Sequence, residues 1–148
     1  MGRARRIALI ALAVVLFLAL SGVLARFLTV ENLERDEELA LLQAQARGNA
    51  SGMLAHLHGC RQDPSCVATV QADARTLRRP GAVKIVMLTS PTAYSLGGAT
   101  GTTRLAWTVI GQFPVVQCVR VRREGSFLAG ISLKLLSVSA PIAKTAEC

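Results

Sequence analysis

Thr102 to Arg123 read TTRLAWTVIGQFPVVQCVRVRR, two alternating runs separated by Gly111-Gln112-Phe113-Pro114. In an extended chain successive side chains point to opposite faces, so Leu105, Trp107 and Val109 share one face, as do Val115, Val119 and Val121. Arg104, Arg120 and Arg122 fall on the opposite parity. The spacing predicts two strands, Thr102 to Ile110 and Val115 to Arg123, and the short connector makes them antiparallel neighbours.

The same pattern extends to either side. Val83 to Thr89 precedes the pair, and Phe127 to Ser139 follows it with Phe127, Ala129, Ile131, Leu133 and Leu135 on one parity and Lys134 on the other. Gly97-Gly98 through Gly101 and Glu124-Gly125-Ser126 are turn clusters, so the four strands form an antiparallel meander with one face on a core and the other toward water or a partner. Before the strands the period changes to that of helices. Asp63 is an N-cap, Pro64 suits the first helical position, Arg75, Arg78 and Arg79 lie toward the C-terminal end, and Pro80-Gly81 stops the helix. Its stripe of Cys66, Val67, Val70, Ala74 and Leu77 needs an apolar cover. A short helix over Asn49 to Leu57 and a longer one over Glu31 to Arg47 complete an α+β domain with its helices packed on the apolar face of the sheet.

Residues Ile7 to Ala25 contain no charge and follow Arg3, Arg5 and Arg6. As a helix they reach about 28 Å, close to the ~30 Å hydrocarbon core and longer than a secretory h-region. This is the pattern of a retained transmembrane anchor; the competing expectation is a signal peptide cleaved after Val23-Leu24-Ala25. The arginines ahead of the span put the N-terminus in the cytoplasm and the rest of the chain outside the plasma membrane. The expected division is a basic segment over 1-6, the anchor over 7-28, an acidic juxtamembrane helical stalk over 29-48 and an extracytoplasmic domain over 49-148.

The chain has 17 Lys and Arg against 9 Asp and Glu, a net +8, but the charge is uneven. Arg26 and Arg35 face Glu31, Glu34, Asp36, Glu37 and Glu38 in the stalk, whereas residues 39-148 are strongly basic. Arg78, Arg79, Arg104, Arg120, Arg122 and Arg123 are expected to form a basic surface that attracts anionic lipid headgroups or wall polymers. The plainer alternative is that arginine serves solubility alone. No nucleic-acid motif accompanies the charge, and nucleic acid is not an expected partner.

His56, His58, Cys60 and Cys66 are enough in kind for a tetrahedral zinc site, but their spacing matches no strong motif. In an exported domain the leading expectation is a Cys60 to Cys66 disulfide, with the histidines solvated and no metal bound. Cys118 and Cys148 make a second pair or, alternatively, a buried thiol and a loose terminal one. Gly97 to Thr103 lacks the lysine and following helix of a phosphate loop. The carboxylates beyond the stalk, Asp63, Asp73, Glu124 and Glu147, form no evident pair, and no serine has a nucleophile setting. Neither enzymatic activity nor a cofactor is expected.

An anchor followed by helices and a curved antiparallel sheet resembles membrane-anchored ectodomains with a nuclear-transport-factor-two-like or cystatin-like cone fold, such as the mammalian-cell-entry-associated membrane proteins of actinobacteria. The resemblance implies a tethered accessory subunit or scaffold of an envelope complex. A cone opening beneath Trp107 and Phe127 would instead hold an apolar ligand. Pilin-like subunits also extend a membrane helix into a four-stranded sheet, but here Gly2 is followed by Arg3 and no glutamate enters the early apolar segment.

Overall fold

The computed structural model describes residues 2–92, 98–126 and 130–148. Its elements are α1 (Arg3–Ala46), α2 (Ala50–His56), a short 3-10 turn (Cys60–Gln62), α3 (Pro64–Thr76), β1 (Val83–Thr89), β2 (Ala99–Val109), β3 (Val115–Ser126) and β4 (Gly130–Val138). The strands lie in the order β1-β2-β3-β4, each pairing antiparallel with the next. The architecture is α+β, as the alternation and helix signals require.

Helix α1 is one element of 44 residues, about 66 Å long. Its first part, Arg3–Ala25, is fully exposed and is long and apolar enough to cross a membrane. No proline or glycine interrupts the chain between Val23 and Arg47, so the helix continues without a break. It ends at Gly48, whose φ of 73° suits glycine; Gly48 N–H donates to Gln45 O (2.8 Å) and Asn49 N–H to Ala44 O (2.9 Å). These two bonds form a Schellman cap.

The distal part of α1 corrects the expected stalk. Glu34, Glu38, Leu41, Leu42, Ala44, Gln45 and Ala46 are all buried, so this segment is the central helix of the domain. The spacing of 34, 38, 41, 42 and 45 is that of a single helix face, and this face lies on the sheet. Two carboxylates within an otherwise acidic run hid the face, because charge in sequence reads as exposure.

Local signals hold elsewhere. Asn49 accepts from Gly52 N–H (2.9 Å) to start α2, and Asp63 accepts from Ser65 N–H (2.9 Å) and Cys66 N–H (3.4 Å) to start α3 at Pro64. Helix α3 stops at Thr76, before the expected Arg79, because Arg79 precedes Pro80 and its amide donates to Ala46 O (2.9 Å). Strand β1 has the expected bounds. Strand β2 starts earlier than expected, at Ala99: Gly101 pairs with Val121 within the ladder, where a Cβ would lie 2.6 Å from Thr92 Cγ2. A glycine read as turn chemistry instead permits the close approach of Pro91-Thr92 to the strand. The expected Phe127-Ala129 portion of the last strand lies outside the described residues.

The core joins Leu41, Leu42, Met53, Val70, Leu105, Trp107, Val119, Val121 and Leu135 beneath the helices. Past β4 the C-terminal tail continues along β3, with Ser139 N–H donating to Cys118 O (2.9 Å) and Ile142 N–H to Val116 O (2.8 Å), and its end is held on the opposite face by Arg104, which donates to Lys144 O and Ala146 O. Val116 and Ala106, on the outward parity, are buried as well.

Candidate functional site

The thiols form two disulfides, Cys60 to Cys66 and Cys118 to Cys148, and no described cysteine is free. The first bridges the entrance of α3. Hydrogen bonds from the Ser65 hydroxyl (2.7 Å) and amide hold the Asp63 carboxyl below its ordinary pKa at that entrance. Both sulfurs being bonded, the thiolates a zinc site would use are taken. His56 instead lies with Nδ1 3.6 Å from Glu37, and His58 uses its backbone amide on Leu135 O (2.7 Å). Among the described residues no three His, Cys, Asp or Glu side chains are grouped to hold a metal. Two disulfides are the mark of a domain that matures in an oxidising compartment.

Two polar clusters lie between α1 and the sheet. In the first, Glu34 is 1% exposed and pairs with Arg123 (Nη2 to Oε2, 3.1 Å), while Thr103 Oγ1 donates to Glu34 Oε1 (2.5 Å) and Ser90 Oγ to Oε2 (3.1 Å). Glu38, one turn on, is 0% exposed and neither carboxyl oxygen has a partner. Burial, and next the Glu34 carboxylate, push its pKa up to about 9, so Glu38 is neutral near pH 7.

The second cluster centres on Gln117. Its Oε1 accepts from Gln45 Nε2 (3.0 Å) and Trp107 Nε1 (2.7 Å), and its Nε2 donates to Asp73 Oδ2 (3.1 Å) and Ser139 O (2.9 Å). All four hydrogen-bonding positions of the amide are used. Asp73 is 2% exposed, and burial raises its pKa to about 6 against the opposing pull of the Gln117 bond. None of Glu34, Glu38, Gln45, Asp73, Thr103 and Gln117 stood out as a site in the sequence. Helical spacing exposes the first three, and the inward parity shared with Trp107 and Val119 exposes Thr103 and Gln117.

The expected basic surface divides. Arg78, Arg120 and Arg122 are exposed, and Arg79 and Arg104 are partly buried. Arg123 is not part of that surface: it shares the parity of Val119 and Val121, is 2% exposed and serves Glu34. Arg104 holds the tail through Ala146 O (3.0 Å) and Lys144 O (2.5 Å), and lines an open cleft of roughly 520 Å³ with Thr89, Thr102 and Cys148. A smaller cleft, roughly 260 Å³, lies between His58, Asp63 and Arg120. Neither includes Trp107, which is 0% exposed and stacked beneath Arg79, whose Cζ is 5.5 Å from the ring centre. Phe127, the other residue of the expected apolar pocket, lies outside the described residues.

The chain matches no family model, no curated protein and no solved structure.

Proposed function

We propose that the protein is a non-enzymatic, membrane-tethered extracytoplasmic scaffold or accessory subunit of an envelope complex, with its N-terminus in the cytoplasm. The observation that carries this reading is the continuity of α1 from an apolar span into the domain core. A helix shared between span and core mounts the domain rigidly, which suits a part that sets the position of others. The space between α1 and the sheet is filled by Leu41, Leu42, Met53, Leu105 and Trp107, which favours a packed support over a ligand chamber.

Purification of the full chain from native membranes in mild detergent, after chemical cross-linking, tests the role. A stoichiometric envelope protein is the expected companion. A monomer that carries an apolar small molecule on native mass spectrometry would replace the scaffold with a ligand-binding module. Orientation is tested by an impermeant thiol reagent after mild reduction: Cys148 should be modified in intact cells, and modification only after lysis would reverse the topology.

A further inference from the structure

The end of the domain farthest from the apolar span has a composition unlike the rest. From Ala25 helix α1 runs to Ala46, a further distance of about 31 Å. Around Ala46 lie the C-terminal end of α3, the start of β1 and the β2–β3 turn, because Arg79 N–H donates to Ala46 O, Arg79 Nη1 to Phe113 O (2.6 Å) and Val83 pairs with Val109. The turn projects two large apolar side chains: Ile110 is 90% exposed and Phe113 84%. It is held firmly, with Gln112 N–H donating to Val109 O (3.0 Å) and Thr108 Oγ1 to Gln112 O (2.7 Å).

Cations surround this tip. Arg79 is bonded to the turn itself, Lys144 Nζ lies 6.0 Å from the Phe113 ring centre, and Lys84 is on β1 opposite Thr108. Arg47 caps α1, and the Arg78 stem packs beside Gly48. Asp73, near the C-terminal end of α3, is buried. Such a tip complements a surface that is anionic outside and apolar beneath.

We propose that this distal tip docks on a second, anionic lipid surface, facing the membrane that holds α1. Ile110 and Phe113 enter the headgroup region while the arginines and lysines remain among the phosphates. A bilayer is favoured over a protein because the apolar feature is a narrow projection. A stable protein interface needs about 800 Å² from each partner with a shaped core, whereas a bilayer accepts a projecting side chain anywhere. Transfer of such a side chain into an apolar phase changes an equilibrium by about tenfold or more. The proposal deepens the scaffold reading and rests on the membrane mounting it assumes, making the scaffold a bridge between surfaces.

The test uses the full chain in nanodiscs of phosphatidylcholine, floated with vesicles of phosphatidylcholine alone or of equal parts phosphatidylcholine and phosphatidylglycerol. Binding to the anionic vesicles alone, weakening with added salt, is expected. The double variant Ile110→Ser, Phe113→Ser should lower it at least tenfold, and Arg78→Glu with Lys84→Glu should lower it most at low salt. All four positions are outside the core, and unchanged thermal unfolding with both disulfides intact certifies the fold of each variant. Equal binding to both vesicles, no binding, or binding indifferent to the Ile110 and Phe113 changes would overturn the proposal. So would the absence of vesicle binding together with a photo-cross-linker at position 113 that captures an acidic protein in native membranes. Failure of a protein to co-purify would sink the scaffold reading and leave the vesicle result standing.

Discussion

Gln117 occupies a position where a hydrophobic residue would satisfy the strand pattern, and its value lies in what it leaves unpaired when lost. Replacing it with Met keeps the volume but orphans the Trp107 indole N–H, the Gln45 amide and the Asp73 carboxyl, all buried. Each stranded group costs about 1 to 3 kcal/mol, so Gln117→Met is expected to lose at least ~3 kcal/mol in urea unfolding. A loss below ~1 kcal/mol would show that the network is not formed. Glu38 makes the opposite prediction. Its folded pKa of about 9 lies above the ordinary 4.5, so between those values the folded state binds a proton that the unfolded state has released. Stability from this group is therefore complete below pH 4.5 and falls as pH rises toward 9, by up to about 1.4 kcal/mol per pH unit. Asp73 acts in the same sense between 3.8 and about 6. Glu38→Gln should flatten the alkaline part of the profile and raise the melting temperature at pH 8. An unchanged pH dependence would mean that Glu38 ionises freely in the folded protein.

Among the elements, the disulfides rank by the loops they close. Cys118 and Cys148 are 30 residues apart and Cys60 and Cys66 only 6, which in the chain-entropy model gives about 3.5 and about 2 kcal/mol. Cys118→Ser with Cys148→Ser should therefore destabilise more than the corresponding pair at 60 and 66. It should also release the tail beyond Ser139 to limited proteolysis; a tail still protected would place its anchoring in Ile142 and Arg104 instead. The elements themselves were largely legible in the residues. Alternation from Val83 onward marked every strand, Asp63-Pro64 marked the start of α3, and cysteine count with compartment anticipated both pairings. Sequence misled where one signal concealed another. The acidity of 29-48 masked the inward face of α1, the glycine cluster at 97-101 masked the start of β2, and Arg123 was grouped with its neighbours by charge although its parity pointed inward. The polar clusters were illegible for a related reason, since the first is assembled from α1, the sheet and Ser90 just past β1, and the second from α1, α3, the sheet and Ser139, and no segment contains more than a fragment.

For the whole molecule, the consequence of a shared helix is that the buried half of α1 and the sheet are inseparable in folding. Leu41, Leu42 and Gln45 have no exposed surface; the leucines share one core with Trp107 and Val119, Gln45 bonds Gln117, and α2 and α3 complete that core with Met53 and Val70. Removing the part of α1 that carries them opens this core and leaves Gln117 and Arg123 without Gln45 and Glu34. A chain limited to 49-148, the domain suggested by composition, is expected to lack cooperative unfolding and to show poorly dispersed amide resonances. A chain starting at residue 29 keeps the buried half of α1 and should give a dispersed spectrum and a single sharp transition. If 49-148 folded as well as the longer chain, α1 would be a detachable stalk and the rigid mounting would fail. If the longer chain folds alone, a few glycines inserted after Ala25 should free the domain from the span without unfolding it. Cross-links to an envelope partner should then disperse while thermal stability holds. That separation of position from stability is what distinguishes a helix that merely completes a core from one that also aims the domain away from the membrane.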